Sequence, residues 1–436
     1  MKTLKFIKEG LKLTLINLVI LFVLLELGSL AFYFVRNQQF FYTREKSEDY
    51  RDLGINLEGV RVGAESIVER LHPFFGFVQK PGSDFRPGFK YNNYGFITPY
   101  DYPFQKTSDN QVIVGVFGGS VASNYSIYEV RNKTLEKILQ QVPEYKDKEV
   151  IILSFAIGGY KQPQQLLILN YMLARGQTFD LIINIDGFNE VALSNLNNER
   201  KLDLAMPSPA HIEPLTGLAN NSLSDKALRS LLEIKDTKRQ LGEGLETLED
   251  CKLAACHAVV LIYVQSLVKN YRTNLQRFER ARNKPLDDDQ ESVIFFYNQD
   301  EVLPDEIFFE EVADYWAKTS ILMQQVATAN GIPYFHFFQP NQYWKTERKF
   351  SEAEQKIALS EASPYEKGVK IGYPLLLEQI ENLKANNVNI FNAVNIFDDV
   401  AEPVYVDNCC HYNPKGEEIF STYIGRSIVD RLTEKP

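Results

Sequence analysis

An α/β protein built on a parallel sheet is the fold class that this sequence predicts, and three observations predict it. Short apolar runs without polar alternation recur: "QVIVGVF" at 111–117, "EVIILSF" at 149–155, "FDLIINI" at 179–185 and "IPYFHFF" at 332–338. A strand covered on both faces has no solvent side, so it shows no alternation. Segments of helical spacing stand between these runs. Glycines mark the joints: Gly118 and Gly119 after the first run, Gly158 and Gly159 after the second, Gly187 after the third. Alternating β and α units imply right-handed crossovers and a layered sandwich.

The helices follow in order. "VRNKTLEKILQQV" precedes the second strand. "QPQQLLILNYMLARG" ends at Gly176, before the third, and "EEVADYWAKTSILMQQVATANG" ends at Gly331, before the fourth. Glycine just past a last turn is a C-cap signal. A last strand falls near "NIFNAVNIF", and "NPKGEEIFSTYIGRSIVDRLTEK" closes the chain as an amphipathic helix. Residues 37–110 are polar, aromatic and turn-rich, and read as short strands and loops wrapping a domain surface. The domain proper spans 111–430, with a helical insertion at about 195–300. That insertion holds "SDKALRSLLEIKDTKRQLGEGLETLED", with Ser224 as N-cap, and "ACHAVVLIYVQSLVKNYRTNLQRFERARN". Its apolar run Ala254–Val268 is short and includes His257, Gln265 and Ser266, so it reads as a packed helix rather than a membrane span. A lid over the site and plain packing are the two roles open to this pair. A second insertion covers 341–388.

The N-terminus carries a separate signal. Lys2, Lys5, Lys8 and Lys12 precede the apolar stretch Leu13–Val35, whose one charge is Glu26. At ~1.5 Å per residue the stretch crosses ~30 Å of hydrocarbon. Lysines before it and only Arg36 close behind place residues 1–12 in the cytoplasm and the chain beyond residue 37 outside, by the positive-inside rule. A cleaved signal peptide ending at "LGSLA" and a buried soluble helix are the competing readings. Glu26 is costly in lipid unless it snorkels, is protonated or meets a partner helix.

Composition excludes other classes. The chain has 436 residues and a net charge of −10, without a Lys/Arg stripe beyond the first dozen residues. Phosphate neutralisation needs such a stripe, so no nucleic-acid partner is expected. The four cysteines, Cys251, Cys256, Cys409 and Cys410, suit an exported domain. Cys251–Cys256 is the simplest bridge. A cross-link from that segment to the 409–410 loop, a strained vicinal bridge and four free thiols are the alternatives. CxxC spacing is absent and the five histidines are scattered, so no metal site and no cofactor are expected. "NYS" at 124–126, "NKT" at 132–134 and "NNS" at 220–222 are formal glycosylation sequons.

Candidate chemistry gathers at strand ends. In open parallel sheets ligands bind at the carboxyl ends of the strands. Ser120 stands there after Gly118-Gly119, Gly159 follows the second strand, and Asn189 follows the third. "VYVDNCCHYNPKG" offers Asp407 and His411 before the last helix. A serine needs a base to remove its proton, the base needs an acid to hold its tautomer, and the tetrahedral oxyanion needs donors already in place. His411 is the base candidate and Asp407 the acid. The Ser120 and Gly159 N–H groups and the Asn189 amide are the oxyanion donors. His336 in "YFHFFQPN" reads as a packed strand residue, and "QPN" at 339–341 as a cleft rim or a plain turn.

These blocks resemble the SGNH hydrolase superfamily, also called GDSL-like esterases and lipases. "FGGSVA" resembles the nucleophile block, "AIGGY" the oxyanion-glycine block, Gly187-Phe188-Asn189-Glu190 the Gly-x-Asn-Asp/Glu block, and Asp407 to His411 the last block. The resemblance covers 111–430. It implies a three-layer α/β/α sandwich of SGNH or flavodoxin-like type and a metal-free serine hydrolase. Two positions depart from the pattern. Gly118 replaces the acid that opens the first block. The residue three before the histidine is Asn408, with Asp407 four before. Asp407 is favoured as the histidine's partner because a carboxylate stabilises an imidazolium and an amide does not; Asn408 is the alternative, and Asp398 and Asp399 are outside candidates. The function implied is hydrolysis or transfer of O-acyl groups, O-acetyl above all, from an acyl ester on a cell-envelope glycan, by a membrane-anchored bacterial enzyme. A catalytically silent envelope or polysaccharide-binding component is the other reading. The oligomeric state is not legible.

Overall fold

The computed structural model describes residues 2–43, 69–86, 89–216, 225–282, 297 and 299–434. The chain forms two compact units. One comprises Met1–Ile67 with Gly217–Glu291, the other Val68–Thr216 with Ser292–Pro436.

The larger unit opens with two small antiparallel hairpins: β1 (Glu69–His72) with β2 (Gly76–Gln79), and β3 (Asp84–Arg86) with β4 (Phe89–Lys90). The main sheet then begins with β5 (Gln111–Gly118). The helices α2 (Ser120–Asn132) and α3 (Thr134–Leu139) lead to β6 (Glu149–Ala156), and α4 (Gln164–Ala174) leads to β7 (Leu181–Asp186). Next come α5 (Phe188–Glu199) and α6 (Pro209–Thr216). In the smaller unit the helical pair is α7 (Asp225–Asp250) and α8 (Ala254–Arg282). The larger unit resumes with α9 (Asp305–Ala329), β8 (Tyr334–Phe338), α10 (Glu352–Ala358), α11 (Glu366–Ala385), β9 (Asn389–Asn392) and α12 (Pro414–Thr433). α1 (Lys2–Asn37) belongs to the smaller unit.

All five main strands pair in parallel, in the order β6-β5-β7-β8-β9. Every residue of β5, β7 and β8 is buried, so both faces are covered, as unbroken apolar runs require. The direction of winding reverses around β5, and a crevice outside the strand carboxyl ends belongs at such a switch point. Ser120, Gly159 and Asn189 all follow strands of this region.

The segment 130–142, read as one helix, is two helices. Lys133 sits between them in left-handed backbone, φ 54°, which ends α2 and restarts the chain as α3. Helix α2 starts at the serine itself, with no intervening loop. Ser224 lies outside the described residues. Of the cysteine alternatives, Cys251–Cys256 is bridged, and Cys409 and Cys410 are free thiols.

In the smaller unit, α1 contains one stretch, Lys12–Asn37, long and apolar enough to cross a membrane. It is consistent with a single membrane-spanning or signal-anchor segment. Helices α7 and α8 pack antiparallel through Leu241, Leu245 and Leu248 against Val264, Leu267 and Val268.

Candidate functional site

Four loops of the larger unit converge at the carboxyl end of the sheet. Ser120 is the first residue of α2, directly behind β5. Its Oγ lies 2.7 Å from His411 Nε2, and His411 Nδ1 lies 2.5 Å from Asp407 Oδ2. The serine, histidine and aspartate are each partly exposed. Asn408 is exposed, and among the described residues its side chain has no hydrogen-bond partner; its carbonyl accepts from Tyr343 Oη–H at 3.0 Å.

Asp407 does two jobs. While Oδ2 meets the ring, Oδ1 accepts the N–H groups of Cys409 (2.9 Å), Cys410 (3.1 Å) and His411 (3.4 Å), which folds the loop tightly enough for a four-residue spacing to reach Nδ1. Burial pushes the Asp407 carboxyl up. The hydrogen bond and charge of His411, with the Cys409 and His411 N–H groups, outweigh it and hold the group at about 2. An unfolded aspartate titrates at about 3.9. The depressed value therefore favours the folded state above that pH, and the benefit is lost as pH falls toward 2.

The oxyanion donors that the sequence nominates stand beside the serine. Neither Ser120 N–H nor Gly159 N–H has an acceptor among the described residues. Asn189 Nδ2 donates one hydrogen to Tyr160 O at 2.7 Å, leaving its second. Gly119 makes that approach possible, because a Cβ on it would overlap the Asn189 amide. Glu190 ties two of the loops together, accepting from Gly187 N–H (2.7 Å) and Gln162 N–H (3.1 Å). Burial, with Asp186 nearby, pushes the Glu190 carboxyl up to about 8.

Other residues escaped the sequence reading. His211 stacks on Phe77, ring centres 4.5 Å apart, and its Nδ1 meets Glu69 Oε1 at 2.7 Å. Its Nε2 occupies the space a side chain at Gly159 would need, and Gly159 itself sits at φ +83°. No spacing signal links residues 69, 159 and 211. The "QPN" turn at 339–341, a cleft rim or a plain turn by sequence, leads into residues 341–343, which hold the Asp–His loop by its carbonyls. Asn341 Nδ2 donates to Cys409 O (2.9 Å), Gln342 Nε2 to Asp407 O (3.0 Å), and Tyr343 Oη to Asn408 O. Behind it, Arg348 and Glu354 form a buried ion pair at 2.7 Å. Arg348 also donates to Phe397 O and Val400 O, and Glu354 accepts from the N–H groups of Val404 and Tyr405. Glu354→Ala would strand the guanidinium and release the segment leading to Asp407. A loss of about 3–5 kcal/mol is expected, read as a lower denaturant midpoint.

Sulfur also borders the site. Cys410 Sγ is 3.9 Å from Ser120 Oγ and 3.2 Å from Cys409 Sγ. Burial pushes the Cys410 thiol well up, so it stands beside the serine as neutral S–H. One donor atom each from Cys409, Cys410 and His411 falls within 4.8 Å of the others. Both ring nitrogens of His411 are already engaged, so an ion bound there would displace Ser120 or Asp407.

A second arrangement lies deeper. Ser320 Oγ on α9 meets His336 Nδ1 at 2.8 Å, and His336 Nε2 meets Asp186 Oδ1 at 2.6 Å. Trp316 Nε1 and Asn184 Nδ2 also donate to Asp186, each at 2.7 Å. Ser320 and His336 are both 0% exposed. This set is triad-like in composition. Its ring nitrogens are exchanged relative to the usual triad, in which Nε2 faces the serine and Nδ1 the acid.

A parallel-sheet α/β fold carrying Ser–His–Asp triad-like geometry defines a protein of serine-hydrolase type. No protein-family model and no curated protein matches the chain, so its residues and distances carry the functional reading.

Proposed function

We propose that the chain is a membrane-anchored serine esterase or O-acyltransferase of SGNH type, working through Ser120, His411 and Asp407. The supporting observation is the pair of bonds on one ring, Nε2 to Ser120 at 2.7 Å and Nδ1 to Asp407 at 2.5 Å, at a partly exposed strand end. The Ser320 set is sealed from any substrate and serves packing.

In this reading Ser120 Oγ attacks the acyl carbonyl while His411 Nε2 takes its proton. Asp407 holds Nδ1–H and stabilises the imidazolium. The oxyanion is met by Ser120 N–H, Gly159 N–H and the free Asn189 amide hydrogen, each donor worth a few kcal/mol in the transition state. As the intermediate collapses, His411 returns the proton to the departing alcohol, leaving acyl-Ser120. Water or a sugar hydroxyl then gives its proton to His411 and takes the acyl group. O-acetyl groups on an envelope glycan are the substrate class that suits an extracytoplasmic domain on a membrane anchor, the topology favoured by the lysines that precede the apolar stretch of α1.

The test uses the detergent-purified full chain. A fluorophosphonate is expected to modify Ser120, found by peptide mass analysis. Acetyl release is then followed from a small acetyl ester with and without oligosaccharide acceptors. Acetylated oligosaccharide identifies a transferase; acetate alone identifies an esterase. No labelling and no acetyl release would sink the proposal.

A further inference from the structure

Glu26 is the one charge in the apolar stretch of α1, and it is paired. Its Oε1 accepts Ala254 N–H at 2.8 Å and its Oε2 accepts Ala255 N–H at 2.9 Å. These are orphan donors of the first turn of α8, at the positive end of that helix. Tyr42 Oη donates to the same carboxylate at 3.0 Å. Leu30, Tyr33 and Phe41 pack around Ala254, and His257 sits edge-on to both Tyr33 and Phe41. The Cys251–Cys256 bridge closes a loop around this contact, with Ala254 and Ala255 between the two cysteines. Glu26, Leu30 and Tyr33 share one face of α1 at helical spacing. The tip of the α7–α8 hairpin is therefore clamped to the far half of the apolar helix.

Depth follows from helix rise. From Leu13 to Glu26 is about 20 Å, which leaves Glu26 about 10 Å short of the far edge of a ~30 Å hydrocarbon core. An interfacial helix rides ~5–10 Å into the headgroup boundary. The exposed face of α8 near the clamp suits that level. Val259 (69% exposed), Ile262 (68%) and Tyr263 share one side, continuous in character with exposed Phe40 and Tyr42 after α1. One turn beyond Ile262, the exposed residues become Gln265 and Ser266, followed by Lys269. Backbone donors at that depth must be satisfied within the protein, and Glu26 satisfies two.

We propose that the first turns of α8 are a second membrane contact. The face of Val259, Ile262 and Tyr263 lies in the bilayer interface at the C-terminal end of α1, and Glu26 clamps it there. Its occupant is phospholipid at the headgroup–acyl boundary. Lys252, exposed at the tip, reaches the phosphates.

The experiment places the full chain in phosphatidylcholine vesicles and compares Ile262→Trp with Gln276→Trp, each read as the difference from wild type. Brominated phosphatidylcholine is expected to quench the added emission of Ile262→Trp about twofold or more and to leave that of Gln276→Trp unchanged. Equal quenching at the two positions overturns the proposal. So does an indole at position 262 shielded from both bromolipid and aqueous iodide, which would mean that protein covers the face. Adding Glu26→Leu to Ile262→Trp makes the span more apolar, so α1 stays inserted; quenching at position 262 is expected to fall. Unchanged quenching would overturn the clamp.

Discussion

Ser120→Ala is expected to lower kcat toward small acetyl esters by about 10⁴- to 10⁶-fold, with folding intact, and to abolish fluorophosphonate labelling. The size follows from the step removed. Without Oγ there is no acyl-enzyme, and the oxyanion donors alone leave only a residue of rate. Little structure should be lost, because among the described residues Ser120 Oγ meets only His411 and Cys410, and it is partly exposed. Ser320→Ala is the necessary partner experiment. It leaves a ring nitrogen of His336 unpaired in a fully buried position, at a cost of about 1–3 kcal/mol. That variant should melt lower, label normally and turn over at the wild-type rate. The reverse pattern, labelling lost with Ser320→Ala and kept with Ser120→Ala, would hand the chemistry to the buried set.

The contrast between the two serines explains what the sequence could carry. Strands β5 to β8 were legible because burial on both faces erases alternation, and Gly118, Gly159 and Gly187 mark turns that need positive φ. Ser120, Gly159 and Asn189 follow from the rule that parallel sheets work at their carboxyl ends, and His411 from its acidic neighbour just before the last helix. Their mutual distances follow from neither. The break at Lys133 was invisible, because a single left-handed residue changes no periodicity. Nor did any pattern mark Ser320 with His336 and Asp186, which lie on separate elements and look like ordinary core positions. The 341–343 loop, Arg348 with Glu354, and Glu69 with His211 act by bonds across long separations in sequence. Those are properties of the folded chain. Glu26 shows the opposite limit: sequence flags an intramembrane carboxylate as needing a partner, and only the fold identifies two backbone amides of α8.

Asp407→Asn is expected to lower kcat by about 10³- to 10⁴-fold, and Asn408→Ala to change it by less than about twofold, the range for an exposed side chain that has no partner among the described residues. The asparagine variant isolates charge from architecture. Its amide oxygen can still accept the N–H groups of Cys409, Cys410 and His411, so the loop keeps its turn. The position facing Nδ1 becomes an NH₂ group, which stabilises no imidazolium and favours the wrong tautomer. Asp407→Ala removes both roles, so its extra loss of stability over Asp407→Asn measures the turn alone. Acidity supplies a further check. The carboxyl is held at about 2 by His411 and the loop amides, so a fall in wild-type rate between pH 4 and pH 7 reports a proton on some other group. If Asn408→Ala instead caused the larger loss, the histidine would be steered by an amide and its imidazolium left without a counter-charge. That outcome is at odds with an Asp407 Oδ2 lying 2.5 Å from Nδ1.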